Sequence, residues 1–173
     1  MQKIKFNKKE SKKFINKTSY RDKEIVLILE NIQYARNVAE IFRTADAAGV
    51  SKIFLTGISK TPPFGKELMQ VSRSREKFLT WEYFESSGQA IKKLKENGFK
   101  IVGIELAHNS IMLEKLKSAL KNVDKVCFVA GSEVFGVKES TLNECDNTVI
   151  IPMYGKGISL NVSTSVGVVL YSF

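Results

Sequence analysis

Apolar positions fall along the chain in short runs of two kinds, and their alternation predicts a layered α/β domain. Ile25-Val26-Leu27-Ile28-Leu29 is apolar at every position before Glu30, as in a strand covered on both faces of a parallel sheet. Val38, Ile41, Phe42, Ala45 and Ala48 then recur at helical spacing, with Arg36, Glu40 and Arg43 on the opposite face. Asn37 with Glu40 three residues later reads as a capping box, and Gly49 as the stop. Further strands are expected at 52–56, 80–84, 100–105, 126–130 and 149–151, the last stopped by Pro152. A loop over 57–65 containing Pro62-Pro63 leads into a short helix. An amphipathic helix over 87–96 turns Ala90, Ile91 and Leu94 inward and ends at Asn97-Gly98, another helix covers 111–120, and a short one follows 131–136. Strands alternating with helices predict a mostly parallel sheet with helices on both faces.

The C-terminal stretch resists this reading. Leu160, Val162, Val166, Val168 and Leu170 alternate like a strand, whereas Ser159, Ser163 and Gly167 are four apart like the small face of a packed helix. Periodicity leaves both open. Gly155 and Gly157 allow a ligand close to the main chain, and Ser159 is placed to cap a helix whose positive end faces a pocket.

Composition narrows the class. The 173 residues fit one domain, 1–173, and no apolar run is long enough to span a membrane, so a cytoplasmic protein without membrane contact is expected. Two cysteines without a CxxC pattern and a single histidine give no support for a metal site or a disulfide framework. Lys and Arg number 27 against 18 Asp and Glu, a net charge of +9. Residues 1–23 hold nine basic side chains against Glu10 and Asp22, so +7 of that charge lies in a basic arm with Phe6, Phe14 and Tyr20 interleaved. Such an arm suits nucleic-acid phosphates and bases, or serves as a solvated segment whose aromatics pack on the core.

Ligands of parallel sheets sit beyond the C-terminal strand ends. The loops after Glu30, Ala130 and Ile151 carry the most suggestive polar groups: Asn37 and Arg43, Gly131 and Glu133, Ser159 and Asn161. Each also has a structural reading, as a cap or, for Arg43, a partner of Asp46. No GxGxxG follows the first strand, and neither GxxxxGK[ST] nor GxSxG occurs, which removes ordinary dinucleotide, P-loop and serine-hydrolase sites.

Read together, the three loops resemble the motifs of the SpoU branch of the SPOUT superfamily, the TrmH-like tRNA and rRNA ribose methyltransferases. The matches are Asn37 to Gly49 (NVAEIFRTADAAG), Phe128 to Gly136 (FVAGSEVFG), and Ile150-Ile151-Pro152-Met153 through Gly155 to Ser159-Leu160-Asn161-Val162-Ser163. The resemblance implies a C-terminal trefoil knot whose last helix is 159–171, a homodimer, S-adenosylmethionine as methyl donor, and transfer to a ribose 2′-hydroxyl of tRNA or, second, rRNA. It implies catalytic roles for Arg43, Asn37, Glu133, Asn161 and Ser159, and cofactor binding by Ala130, Gly131, Ile150, Ile151, Leu160 and Ser159. Arg43 would hold phosphate and hydroxyl, since a guanidinium is a poor base. Two departures stand out: Val134 occupies a position usually glycine, and Arg73 and Arg75 interrupt a usually small-residue patch. The basic arm is expected to replace the separate RNA-binding domain of some relatives. A non-catalytic RNA-binding protein on the same scaffold is the alternative, against which Asn37, Arg43, Glu133 and Asn161 speak.

Overall fold

The computed structural model describes residues 7, 9–10, 22–108 and 110–172; of the basic arm only Asn7, Lys9, Glu10, Asp22 and Lys23 fall within it. Seven strands form one sheet in the order β3-β2-β1-β6-β4-β7-β5. They are β1 (Glu24–Glu30), β2 (Lys52–Thr56), β3 (Thr80–Phe84), β4 (Lys100–Ile104), β5 (Ile111–Met112), β6 (Lys125–Ala130) and β7 (Asn147–Ile150). Every pairing among them is parallel, including the central β1 and β6 from Glu24↔Lys125 to Leu29↔Ala130.

The uninterrupted apolar run of β1 is used on both faces, as its pattern requires. Ile25, Leu27 and Leu29 join one core with Val38, Ile41 and Phe42 of α1 (Ala35–Ala47) and Val166, Val169 and Leu170 of α6 (Val162–Tyr171). Val26 and Ile28 join a second core with Ala90, Ile91 and Leu94 of α3 (Ser87–Glu96). Helices α2 (Lys66–Ser72), α4 (Leu113–Ala119) and α5 (Glu139–Leu142) complete the layers, and a 3-10 turn occupies Arg75–Lys77. Gly49, at φ 73°, ends the run after α1.

Three local expectations are corrected. Residues 111–120 are not one helix: Ile111–Met112 pair with β7 at the sheet edge, and α4 starts only at Leu113. The C-terminal ambiguity resolves to a helix, but its N-cap is Asn161, whose side chain accepts from Ser163 N–H at 2.8 Å, and not Ser159. Asn37 is not a cap either. Helix α1 begins at Ala35 with Tyr34 at its N-cap, so Asn37 stands in its first turn.

The chain reverses direction across the sheet between β1 and β6. The connection after β1 leads through α1 to β2 on one side, and that after β6 leads through α5 to β7 on the other. A crevice opens between such diverging loops at the C-terminal strand ends.

Candidate active site

A cleft of about 1030 Å³ fills that crevice. The loops after β1, β6 and β7 supply Asn37, Glu133 and Ser159 to Asn161, and the β4 loop adds Ile104, Glu105 and Leu106.

Glu133 ties the second motif to the first. Its Oε2 accepts from Gln33 N–H (2.9 Å), and its Oε1 accepts from Tyr34 N–H (3.2 Å) and Asn37 Nδ2–H (2.6 Å). It therefore satisfies main-chain donors just ahead of α1, at the helix's positive end, a task that capping usually assigns to a neighbouring residue. Asn37 Oδ1 in turn accepts from Asn161 Nδ2–H (3.1 Å), and Asn161 Oδ1 accepts from Ser163 N–H. A carboxylate at one end and a main-chain donor at the other fix the orientation of both amides. Ser163 Oγ lies 2.7 Å from Asn161 Oδ1 and 2.8 Å from Glu40 Oε2, and its one hydrogen serves one acceptor at a time. Glu40 Oε1 accepts from Arg36 Nε–H at 3.1 Å, so the series continues to the outer face of α1.

Two further carboxylates, to which no sequence motif pointed, shape the Gly131–Gly136 loop. Glu30, 2% exposed at the end of β1, accepts from Lys138 N–H (2.8 Å) and Thr141 Oγ1–H (2.6 Å). Glu105 accepts from Leu106 N–H and Val137 N–H, both at 3.0 Å. The loop folds back so tightly that a Cβ on Gly131 would meet the Gly136 carbonyl carbon at 2.1 Å, and one on Gly136 would meet Glu105 Oε2 at 2.1 Å. Gly131 is closed to side chains by main chain, and at Gly136 the left-handed φ of 64° disfavours a side chain even if Glu105 moves. Val134 is exposed and outside the left-handed region, which among described non-glycine residues holds only Asn31, Arg73 and Ser74, so valine is accommodated there.

The expected residues are thus partly brought together. Asn37, Glu133 and Asn161 form one hydrogen-bonded group, and Ala130, Gly131, Ile150, Ile151, Ser159 and Leu160 line the same cleft. Ser159 is not a member of the hydrogen-bonded group. Arg43 stands apart: it is exposed, does not line the cleft, and its side chain has no hydrogen bond or ion pair among the described residues. Asp46, its suggested partner, pairs with Arg75 at 3.4 Å. No described cluster of three or more His, Cys, Asp or Glu could hold a metal, and no described helix is long and apolar enough to cross a membrane.

Comparison with known proteins decides the family, because residues 24–171 match the family model described as SpoU rRNA Methylase family. The chain belongs to the SpoU rRNA Methylase family. Among similar family proteins, the tRNA (guanosine(18)-2′-O)-methyltransferase of Aquifex aeolicus is 28% identical over 151 residues, 87% of this chain and 69% of the relative. The crystal structure of the A. aeolicus TrmH/SpoU tRNA modifying enzyme superposes with a TM-score of 0.74 at 27% identity, covering 88% of this chain and 74% of that one. The AdoMet-bound rRNA methyltransferase from Sinorhizobium meliloti gives 0.78 at 25% identity, covering 88% of this chain and 56% of that one. The matched SpoU span contains all three motif loops and every strand and helix named above.

Proposed function

We propose that the protein transfers a methyl group from S-adenosylmethionine to a ribose 2′-hydroxyl of RNA, with tRNA the first candidate and rRNA the second. The observation that carries this reading is the hydrogen-bonded group Glu133–Asn37–Asn161, which joins the three family motifs at one wall of one cleft. Relatives of similar sequence are named as tRNA and rRNA 2′-O-methyltransferases.

The cleft suits the methyl donor. Ile104, Leu106, Ile150, Ile151 and Leu160 supply apolar wall beside the main chain of the strand ends, a combination that buries an adenine ring and leaves backbone groups to read its edge. When bound, S-adenosylmethionine supplies an electrophilic methyl on a sulfonium.

The chain's own residues divide the remaining work. A neutral hydroxyl is a weak nucleophile, so orienting it and receiving its proton matter most. Glu133 already accepts three hydrogen bonds, which makes it a positioning group rather than a free base. Asn37 and Asn161 are held in fixed orientation beside the cleft as neutral hydrogen-bonding groups. Arg43 holds the phosphate and hydroxyl electrostatically, and a phosphate oxygen or water receives the proton.

Arg43 lies outside the cleft of its own chain, so this role requires a site completed by a second copy. The protein works as a homodimer in this reading. Phe135, Tyr154 and Ile158, exposed by 80%, 94% and 96%, provide apolar surface for such an interface. The chain then acts as a single SpoU-type unit with its C-terminal segment knotted and α6 as the last helix, in the cytoplasm where its RNA resides.

The test is complementation with tRNA transcripts. Arg43→Ala and Asn161→Ala homodimers should each lose methylation, and mixing them should restore it in hybrid dimers that keep one intact site. Inactive single variants that stay inactive after subunit exchange would reject a shared site. Wild-type protein that binds S-adenosylmethionine but methylates neither tRNA nor rRNA would reject the reaction.

A further inference from the structure

A second cavity, of about 290 Å³, borders the α1-side core and shares no described lining residue with the cleft. Pro62, Pro63, Phe64, Met69 and Trp81 give it apolar walls, and Glu76 and Lys77 are its charged lining residues. Glu76 is unusual. It is 7% exposed; one carboxylate oxygen accepts from the Ser72 hydroxyl, while Oε1 is shielded from solvent and has no hydrogen-bond partner among the described residues. A buried carboxylate oxygen without a donor is costly, and here it belongs to a side chain that lines a cavity.

We propose that this cavity is a subsite for one guanine base. Trp81 and the neighbouring apolar side chains offer apolar surface on which an unstacked base packs. The carboxylate selects the base. Guanine alone among the four carries two adjacent donors, N1–H and N2–H, on its Watson–Crick edge, and these match two carboxylate oxygens after a rotation of Glu76 toward the cavity. Adenine and cytosine set a ring acceptor beside their amino group, and uracil flanks its one N–H with two carbonyls, so each would bring an acceptor against the carboxylate. Lys77 in the lining and exposed Arg73 in the same segment stand where the flanking phosphates of an RNA strand would need cations.

That the guanine belongs to an RNA substrate rests on the methyltransferase reading; the base preference does not. Within one chain the two cavities have no described lining residue in common.

Trp81 is the chain's single tryptophan, so its fluorescence reports on this cavity alone. The full-length protein, without methyl donor, is titrated with the 5′-monophosphates of guanosine, adenosine, cytidine and uridine. Guanosine monophosphate should quench saturably and bind at least about tenfold more tightly than the others. Glu76→Gln should abolish that preference, because an amide offers one acceptor and one donor, a pairing that every one of the four bases can meet. S-adenosylmethionine binding by the same variant serves as the control for folding. Absent or equal quenching by all four nucleotides, or a guanine preference that survives in folded Glu76→Gln, would overturn the proposal. A protein that binds guanosine monophosphate selectively yet methylates no RNA would keep the subsite and reject the activity.

Discussion

Asn161 Nδ2 donates to Asn37 Oδ1 across 3.1 Å and a sequence separation of 124 residues. This bond joins the N-cap of α6 to the first turn of α1, so the two helices that pack together on one sheet face also share polar ends beside the cleft. Asn37 can serve Asn161 only because Glu133 takes its other side.

Asn37→Asp is therefore expected to be more damaging than Asn37→Ala. Alanine removes one donor from Glu133 and the acceptor for Asn161, a loss of about 1–3 kcal/mol. Aspartate also removes the donor and sets a second carboxylate against Glu133 Oε1, where the amide nitrogen stands at 2.6 Å. Urea unfolding at neutral pH should rank the proteins wild type, alanine, aspartate, and an aspartate variant as stable as alanine would contradict the assigned amide orientation.

Asn161 has two separable tasks. Asn161→Asp keeps an oxygen for Ser163 N–H and so keeps the helix cap, but cannot donate to Asn37. Asn161→Ala loses both, and the cap alone is worth about 0.5–2 kcal/mol. The expected pattern is a moderate loss of stability with lost methylation for Asp, and a larger loss of stability with lost methylation for Ala. Methylation surviving in the Asp variant would show that the cap is all that matters.

How much of this was legible in the sequence follows from how local each signal is. The apolar run of β1 and the helical spacing of α1 are local, and both elements appear where the pattern puts them. Asn37 looked like a cap because Glu40 follows at capping-box spacing, yet the group that receives the donors ahead of α1 is Glu133, about a hundred positions away. No local pattern encodes that. Glu30 and Glu105 read as strand ends, since nothing before the fold forms shows that Lys138 and Val137 main-chain donors will meet them. Arg43 and Asp46 sit within one turn, but Arg75 reaches Asp46 from the 3-10 turn instead. Family likeness identified the three loops; folding supplied their wiring.

Glu82 offers a pH test away from the cleft. Lys52 hydrogen-bonds to it at 2.6 Å and Lys93 at 2.7 and 2.9 Å, and together they hold its carboxyl below its ordinary value of 4.5. A carboxyl whose folded-state value is lowered stabilises the fold above its unfolded value, and that contribution disappears as pH falls through the folded value. Glu82→Gln should therefore unfold at lower urea than wild type at pH 7, and the two midpoints should converge in acid. A gap that is constant from pH 7 to pH 3 would assign the loss to packing rather than charge.

The basic arm gives the last prediction. Lys23 is anchored, donating from Nζ to the Leu120, Lys121 and Val123 carbonyls at 3.1, 3.1 and 2.6 Å just after α4. A cation at a helix C-terminus is well placed, so the arm is tethered to the fold at its base, and a cut before this residue leaves the tether in place. Deleting residues 1–20 removes seven lysines and one glutamate. If those lysines meet RNA phosphates, removing each lysine–phosphate pairing should lower the slope of log affinity against log salt by about 0.7–0.9. Affinity for tRNA should then fall most at low salt, while S-adenosylmethionine affinity stays at the wild-type value. An unchanged salt slope in the truncated protein would return the arm to solvent and assign RNA binding to the folded domain.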